Sequence, residues 1–217
     1  MQVKSKWVAL YSQTGSEIMA LVERGFFPDV VVTDNFTSYL KNQEFFKKYN
    51  IEHVITVIEK VKSKRIARYD SFLKTTDIVT LHGWLNIVPG EICEKYTIYN
   101  GHPGHIIEYP ELKGKDPQEK VWKQIKAGNL PAKVGSVIHR VTEEVDGGEV
   151  VVVAEMPLDR KVHVGSVNGM ISINSYLSKI SWVRFFRNLD IILQDELAYD
   201  GTSDRDQHIP ITFINHE

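Results

Sequence analysis

Three side chains that can support acyl transfer follow strand-like segments of this chain. Asn100 and His102 stand two residues apart after one apolar segment, and Asp146 follows another within the run Glu144-Val145-Asp146-Gly147-Gly148. An asparagine amide can donate hydrogen bonds to an oxyanion, and a histidine can move a proton. A carboxylate can orient that histidine and raise its proton affinity. The combination predicts an acyl-transfer site that acts on a nitrogen nucleophile.

Each of these features also has an ordinary structural interpretation. Asparagine before glycine is a common turn, and a histidine in a loop is more often a surface residue than a catalyst. Asp-Gly-Gly between two strands is typical of a hairpin turn. Pro103 favours an extended backbone at His102, which helps to hold the imidazole in place. The order and placement of the three residues together favour catalysis over these alternatives.

Short apolar segments alternate with helix-length amphipathic segments over the first hundred residues. The pattern predicts strands at 6–12, 29–33, 53–57, 77–81 and 97–99, and helices at 37–49, 66–75 and 89–95. Such alternation is typical of a parallel sheet with helices on both faces. Ligands of these sheets bind outside the carboxyl ends of the strands, which is where Asn100 and His102 fall.

The pattern changes after His102. A helix is predicted at 117–127, followed by strands at 134–145 and 149–156 that Asp146, Gly147 and Gly148 join as a hairpin. A long helix at 167–192 and a short strand at 209–214 complete the prediction. We therefore expect an α/β fold over residues 1–217 as a single domain. It is a Rossmann-like, mostly parallel twisted sheet with helices on both faces and an antiparallel C-terminal edge hairpin.

Composition narrows the class of protein. The formal net charge of −2 provides no whole-chain attraction to nucleic acid or to an anionic membrane. The chain begins without the apolar segment of a signal peptide, and no apolar stretch approaches the roughly 18 residues of a membrane span. Cys93 is the only cysteine, so an internal disulfide is excluded, and no cysteine or histidine spacing suggests a metal site. We expect a soluble, cytoplasmic protein that binds neither nucleic acid nor a membrane.

Three segments resemble the folate-dependent formyltransferases. They are Leu81-His82-Gly83-Trp84-Leu85, Asn100-Gly101-His102-Pro103, and the stretch from Gly135 to Gly148. The likeness extends from the first strand to Met156 and is strongest toward the single-domain glycinamide ribonucleotide formyltransferases. It implies a catalytic trio of Asn100, His102 and Asp146. It also implies N10-formyltetrahydrofolate as the formyl donor and a small-molecule primary amine as the acceptor.

The resemblance further implies two binding regions. Backbone at 82–88 and 142–146 would hold the pterin of the folate, and the residues concerned are Gly83, Trp84, Leu85, Ile87, Val88, Glu144 and Val145. A loop that holds the phosphate of the acceptor in that family corresponds here to Ser12, Gln13, Thr14, Gly15 and Ser16. His139 falls where the family has a histidine near the site, with a core histidine as an equal alternative. The aromatic residues Trp182, Phe185 and Phe186 fit either core packing or the contact of a homodimer.

The chain departs from that family in its first loop. Glu17 replaces an asparagine and Gln13 replaces a glycine, and both changes weigh against glycinamide ribonucleotide as the acceptor. The segment from Pro110 to Asp116 also differs. A nucleotide-linked amino sugar is therefore a second acceptor class. The basic residues Lys60, Lys62, Lys64, Arg65 and Arg68 are either an anion site or a solvated helix start.

Other functions share parts of this pattern. A formyltetrahydrofolate hydrolase uses the same trio with water in place of the amine, and a folate-binding protein could keep the fold without turnover. Methionyl-tRNA formyltransferase is disfavoured because the chain is short and is not basic.

Overall fold

The computed structural model describes residues 6–158 and 166–188. Within them, seven strands form one sheet in the order β3-β2-β1-β4-β5-β6-β7. The strands are β1 Trp7–Tyr11, β2 Val30–Thr33, β3 Glu52–Ile55, β4 Ile78–Leu81, β5 Ile98–His102, β6 Lys133–Arg140 and β7 Val150–Pro157. The helices are α1 Ser16–Val22, α2 Phe36–Lys48, α3 Lys62–Leu73, α4 Gly90–Lys95, α5 Pro117–Lys126 and α6 Val167–Asn188.

Strand pairing confirms the predicted fold class. β1 pairs in parallel with β2 and β4, β2 with β3, and β4 with β5. β6 then pairs antiparallel with β5 and with β7. The sheet is thus mostly parallel with an antiparallel C-terminal hairpin, as the sequence predicts.

Alternation along β1 divides the core between the two faces of the sheet. Trp7 and Tyr11 pack with side chains of α1, α2 and α6 on one face. Val8 and Leu10 pack with α3 and α4 on the other face. Because successive side chains of a strand point to opposite faces, a central strand buried on both must be apolar throughout. This explains why the first strand reads as an uninterrupted apolar run.

The helix expected from residue 66 begins earlier, at Lys62. Two other predicted boundaries are wrong and concern the site. The fifth strand was expected to end at residue 99, but β5 continues to His102, because β6 pairs with it beyond the end of β4. The sixth strand was expected to reach residue 145, but β6 ends at Arg140. Residues 141–149 are therefore an extended loop, called here the aspartate loop, and not a tight turn. The strand predicted at 209–214 lies outside the described residues.

Two further observations concern the described residues. None of their helices is both long and apolar enough to cross a membrane. Cys93 is buried in the core, where burial raises the pKa of its thiol above the usual value. A thiol in this environment is inert.

We expect Leu10→Ala to lower the free energy of unfolding by about 2–5 kcal/mol, because Leu10 is fully buried in the central strand. Leu40→Ala is the matched control, since Leu40 lies on α2 with 53% of its surface exposed, and should change stability by less than about 0.5 kcal/mol. Urea unfolding followed by circular dichroism measures both. Equal losses in the two variants would contradict the assignment of the core.

Candidate active site

Tertiary structure brings His102 and Asp146 together. His102 ends β5, Asp146 lies in the aspartate loop, and Nδ1 of His102 is 3.3 Å from Oδ2 of Asp146. Both side chains are nearly buried, at 6% and 9% exposed. The structure thus places two members of the predicted trio in direct contact.

His139 completes the arrangement. The antiparallel register of β5 and β6 sets it opposite Asn100. Its Nε2 lies 3.1 Å from Nδ2 of Asn100 and 3.2 Å from Oδ1 of Asp146. The side chain is buried, but it contacts two of the trio, so the structure favours a site histidine over a core histidine. We call Asn100, His102, His139 and Asp146 the catalytic cluster, because it contains the predicted catalytic trio.

Hydrogen bonding orients both imidazoles of the catalytic cluster. Nε2 of His102 donates to the carbonyl of Leu112 at 2.9 Å, and Nδ1 of His139 donates to the carbonyl of Arg140 at 2.9 Å. Carbonyl oxygens only accept, so each neutral ring turns its unprotonated nitrogen toward a different oxygen of Asp146. A proton that reaches either nitrogen would bind next to a carboxylate oxygen. The cluster is therefore arranged to take up a proton.

Burial controls the protonation of this pair. It lowers the pKa of His102, and it outweighs the Asp146 carboxylate and the Leu112 carbonyl, which both act to raise that pKa. For Asp146, burial acts to raise the pKa, but the neighbouring imidazoles of His139 and His102 and the backbone amide of Gly114 together lower it. The sequence predicted that Asp146 raises the proton affinity of His102. That influence is present, but the loss of solvation is larger.

Sequence reasoning missed the backbone groups of residues 112–114. The carbonyl of Leu112 bonds His102, and the amide of Gly114 donates to Oδ2 of Asp146 at 2.8 Å. Ser136, on β6, donates to the carbonyl of His102 at 3.0 Å. Backbone groups leave no mark in the side-chain pattern, so only the departure of residues 110–116 from the family pattern pointed to this segment.

The Asp-Gly-Gly run owes its composition to the shape of the aspartate loop. Asp146 has φ +50°, in the left-handed region, which aspartate tolerates better than most residues. A Cβ at Gly148 would collide with the carbonyl of Arg140, so only glycine fits there. The loop geometry thus directs the Asp146 carboxylate between the two histidines.

The predicted acceptor loop, residues 12–16, connects β1 to α1. Ser12 is buried, and its hydroxyl accepts from the amide of Leu85 at 3.0 Å, whereas Gln13 and Thr14 are exposed. Gly15 has φ +72° and lies against Asn42 and the ring of Tyr11. The buried contacts of Ser12 and Gly15 therefore hold the loop against the protein, whereas the side chains of Gln13 and Thr14 are accessible to solvent.

Glu17 does not lie where the sequence placed it. The substitution was expected to put a carboxylate at the acceptor phosphate, but Oε2 of Glu17 lies 3.3 Å from Nδ1 of His82 and accepts from Nε1 of Trp182 at 3.2 Å. The carboxylate therefore points into the protein. Its presence does not argue against a phosphorylated acceptor.

The two predicted folate segments are neighbours. Residues 82–88, called here the β4 loop, end two residues before Gly90, against which Glu143 of the aspartate loop packs. Leu85, Ile87 and Val145 are more than half exposed and offer an apolar surface.

The other predicted folate residues lie differently. Trp84 and Val88 are buried in the core, so only their backbone can contact a ligand, as the resemblance implies. Gly83 has φ +64° and packs against Gln13, and Glu144 is exposed with its carboxylate 3.6 Å from Nζ of Lys113.

The contacts of the basic residues at 60–68 favour their interpretation as a solvated helix start over that as an anion site. Arg65 donates to the carbonyls of Glu59 and Lys60, and Lys62 pairs with Glu91 at 2.7 Å. These two cations are therefore already engaged within the protein. Residues 6–158 and 166–188 contain no group of three or more His, Cys, Asp or Glu side chains suited to hold a metal ion.

Hydrogen bonds through Tyr11 and Asn42 link His53 to the acceptor loop, and one of its ring nitrogens has no hydrogen-bond partner. The hydroxyl of Tyr11 bonds Nε2 of His53 at 2.9 Å, and Asn42 joins Tyr11 to the carbonyl of Thr14. Nδ1 of His53 is buried without a hydrogen bond. Burial lowers the pKa of His53 to about 4.

Comparison with known proteins supports the expected resemblance. No family model matches the chain. A phosphoribosylglycinamide formyltransferase of Dictyostelium discoideum is 29% identical over 123 residues, which are 54% of this chain and 56% of that protein. The chain thus spans about half the length of the curated relatives it matches. The predicted likeness to formyltransferases of this type is confirmed.

Solved structures share the fold. The phosphoribosylglycinamide formyltransferase of Streptococcus pneumoniae TIGR4 superposes with a TM-score of 0.71 at 22% identity, over 86% of this chain and 99% of that one. A formyltetrahydrofolate deformylase of Pseudomonas syringae has a TM-score of 0.69 at 17% identity, over 86% of this chain and 61% of that one. At such identities the likeness establishes the fold alone.

We expect the protein to lose stability as the pH falls from about 6.5 toward 4. Burial lowers the pKa of His53, His82 and His102, so in this window the unfolded chain binds protons that the folded chain does not. The melting temperature should be lower at pH 5 than at pH 7.5 by at least about 5 °C. His53→Gln should reduce the difference. A melting temperature that is constant over this range would contradict the assignment of neutral, buried histidines.

Proposed function

We propose that this protein transfers a formyl group from N10-formyltetrahydrofolate to a primary amine of a small, phosphorylated acceptor. The observation that carries the proposal is the catalytic cluster, in which Asp146 lies between His102 and His139 while Asn100 lies beside His139. Within the sheet, Asn100 pairs with Leu81, the residue directly before the β4 loop. The similarity to phosphoribosylglycinamide formyltransferases supports the same chemistry.

The proposed reaction begins when the neutral amine attacks the formyl carbon. A carbon–nitrogen bond forms, and the carbonyl oxygen becomes an oxyanion that the amide of Asn100 stabilises by hydrogen bonding. The attacking nitrogen loses a proton to the cluster, where a carboxylate oxygen stabilises the protonated imidazole. The bond from carbon to N10 then breaks, N10 receives the proton, and tetrahydrofolate leaves.

The surroundings of His102 determine how a proton reaches it. The carbonyl of Leu112 occupies Nε2 and the side chain is 6% exposed, so the edge that faces Asp146 is the available one. We therefore assign proton uptake to the His102–Asp146 pair as a unit, with His139 on the other carboxylate oxygen. Interacting groups of this kind titrate together.

Two acceptor classes remain in the proposal, a glycinamide ribonucleotide-like amine and a nucleotide-linked amino sugar. In both, Ser12, Gln13, Thr14, Gly15 and Ser16 would receive the phosphate. Because Glu17 turns inward, the loop carries no carboxylate toward that phosphate. The glycinamide ribonucleotide-like acceptor is thus again compatible with the loop.

Hydrolysis of the formyl donor is the second candidate function. The shared fold with a formyltetrahydrofolate deformylase favours it, and water would then replace the amine at the same cluster. A folate-binding protein without turnover is less well supported, because binding alone does not require the cluster.

We expect tetrahydrofolate release from N10-formyltetrahydrofolate to require an amine. The assay compares release alone with release in the presence of glycinamide ribonucleotide and of a panel of amino-sugar nucleotides. Release with one amine supports the transferase and identifies its acceptor class. Release without any amine supports the hydrolase, and the absence of release under all conditions would overturn the proposed chemistry.

His102→Ala should lower turnover by about 10²–10⁴-fold, because it removes the group that takes up the proton, while folate binding persists. His105→Ala is a matched control, since His105 is also buried nearby but bonds Glu155 at 2.7 Å, outside the cluster.

In the unmodified protein, activity should fall on the acid side of about pH 6.5, because burial lowers the pKa of His102 and its base form prevails at neutral pH. Equal activity of the two variants, or a flat profile from pH 5 to 9, would contradict this role of His102.

A further inference from the structure

A single carboxylate oxygen joins two buried rings behind the proposed site. Oε2 of Glu17 lies 3.3 Å from Nδ1 of His82 and 3.2 Å from Nε1 of Trp182. The rings themselves are in contact, with centroids 4.3 Å apart. His82 and Trp182 are 4% and 0% exposed, whereas the side chain of Glu17 is 23% exposed.

Donors and acceptors can be assigned consistently to all the hydrogen bonds of this group. Nε1 of Trp7 donates to the hydroxyl of Thr80, which bonds Nε2 of His82 at 2.8 Å. With that nitrogen as acceptor, Nδ1 of His82 carries the proton and donates to Glu17. Trp182 donates to the same oxygen. A neutral imidazole and an ionised carboxylate therefore satisfy every bond, and burial lowers the pKa of His82 in agreement with this.

The group connects the three segments that the proposed reaction needs. Glu17 directly follows the acceptor loop, and His82 is the first residue of the β4 loop. Trp182 lies against Gly101, where an added Cβ would be 2.7 Å from the indole Nε1. Because side chains alternate along β5, Asn100 and His102 project from the face opposite to this contact. The indole thus supports the backbone between two residues of the catalytic cluster.

We propose that Glu17 is a positioning residue that holds the acceptor loop, the β4 loop and the catalytic strand β5 in one fixed arrangement. The inference rests on the proposed function, because it assigns the alignment of the two substrates to this carboxylate. A partly buried carboxylate is a poor means of gaining stability, since its loss of solvation offsets much of its attraction to its partners. Alignment of reactants, in contrast, is sensitive to shifts of about 1 Å.

The kinetic test compares Glu17→Ala, Glu17→Gln and the control Glu23→Ala, which removes an exposed carboxylate just after the same helix. Glu17→Ala should lower kcat by at least about tenfold, with the KM for N10-formyltetrahydrofolate changed by less than about threefold. Glu17→Gln keeps an oxygen that accepts from both rings, so it should retain most of kcat. Glu23→Ala should behave as the unmodified protein. A glutamine variant as slow as the alanine variant, or a loss confined to KM, would overturn the proposal.

A second test does not depend on turnover. The chain has four tryptophans, so ¹⁵N-tryptophan labelling produces few indole signals, and Trp182→Phe assigns the one of interest. Trp84 lies in the β4 loop with its indole buried and donating to Tyr69, so its signal reports a ligand that binds to the backbone of this loop. Tetrahydrofolate is the probe. In the unmodified protein it should shift the Trp84 signal and, through Glu17, the signal of the buried Trp182.

The outcomes separate this inference from the proposed function. A Trp182 response that disappears in Glu17→Ala but persists in Glu17→Gln and Glu23→Ala supports the positioning role. A shift of Trp84 without one of Trp182, or a Trp182 response that survives in Glu17→Ala, overturns the positioning role and leaves folate binding intact. The absence of any response to tetrahydrofolate overturns the proposed function and this inference with it.

Discussion

The antiparallel pairing of β5 with β6 is the constraint on which the candidate site depends. In the parallel part of the sheet, β4 accompanies β5 only as far as Asn100. The pairing with β6 extends β5 to His102 and sets Asn100 opposite His139. A shift of one residue in this register would turn His139 to the other face of the sheet.

The two imidazoles and the carboxylate of the catalytic cluster are firmly oriented and are little exposed to solvent. Each imidazole gives one nitrogen to a backbone carbonyl and the other to Asp146. Burial lowers the pKa of His102, which favours its neutral form, and Asp146 offers a separate carboxylate oxygen to each ring. The same burial makes the site dependent on neighbouring backbone, because buried polar groups without partners are costly. The segment around Leu112 and Gly114 supplies those partners.

Much of the fold could be predicted because it depends on local periodicity. Uninterrupted apolar runs such as β1 are typical of strands buried on both faces, and their alternation with amphipathic helices implies a parallel sheet. The ends of β5 and β6 could not be predicted in this way. They depend on which strand lies alongside, a contact between residues about forty positions apart that leaves no local signal. The sequence showed that residue 148 is a glycine. It did not show the reason, which is the close approach of the Arg140 carbonyl.

The sequence by itself determined which chemical groups are present and that Asn100, His102 and Asp146 lie at or beyond the ends of strands. These facts rest on residue type and on the short-range rules of strands and turns. Only the tertiary structure decided that His139 joins them, that Leu112 and Gly114 bond them through backbone, and that Glu17 turns away from the acceptor loop. The reason is physical. A side chain's direction is set by the partners that satisfy it, and for Glu17 the partner Trp182 is 165 residues away in the chain.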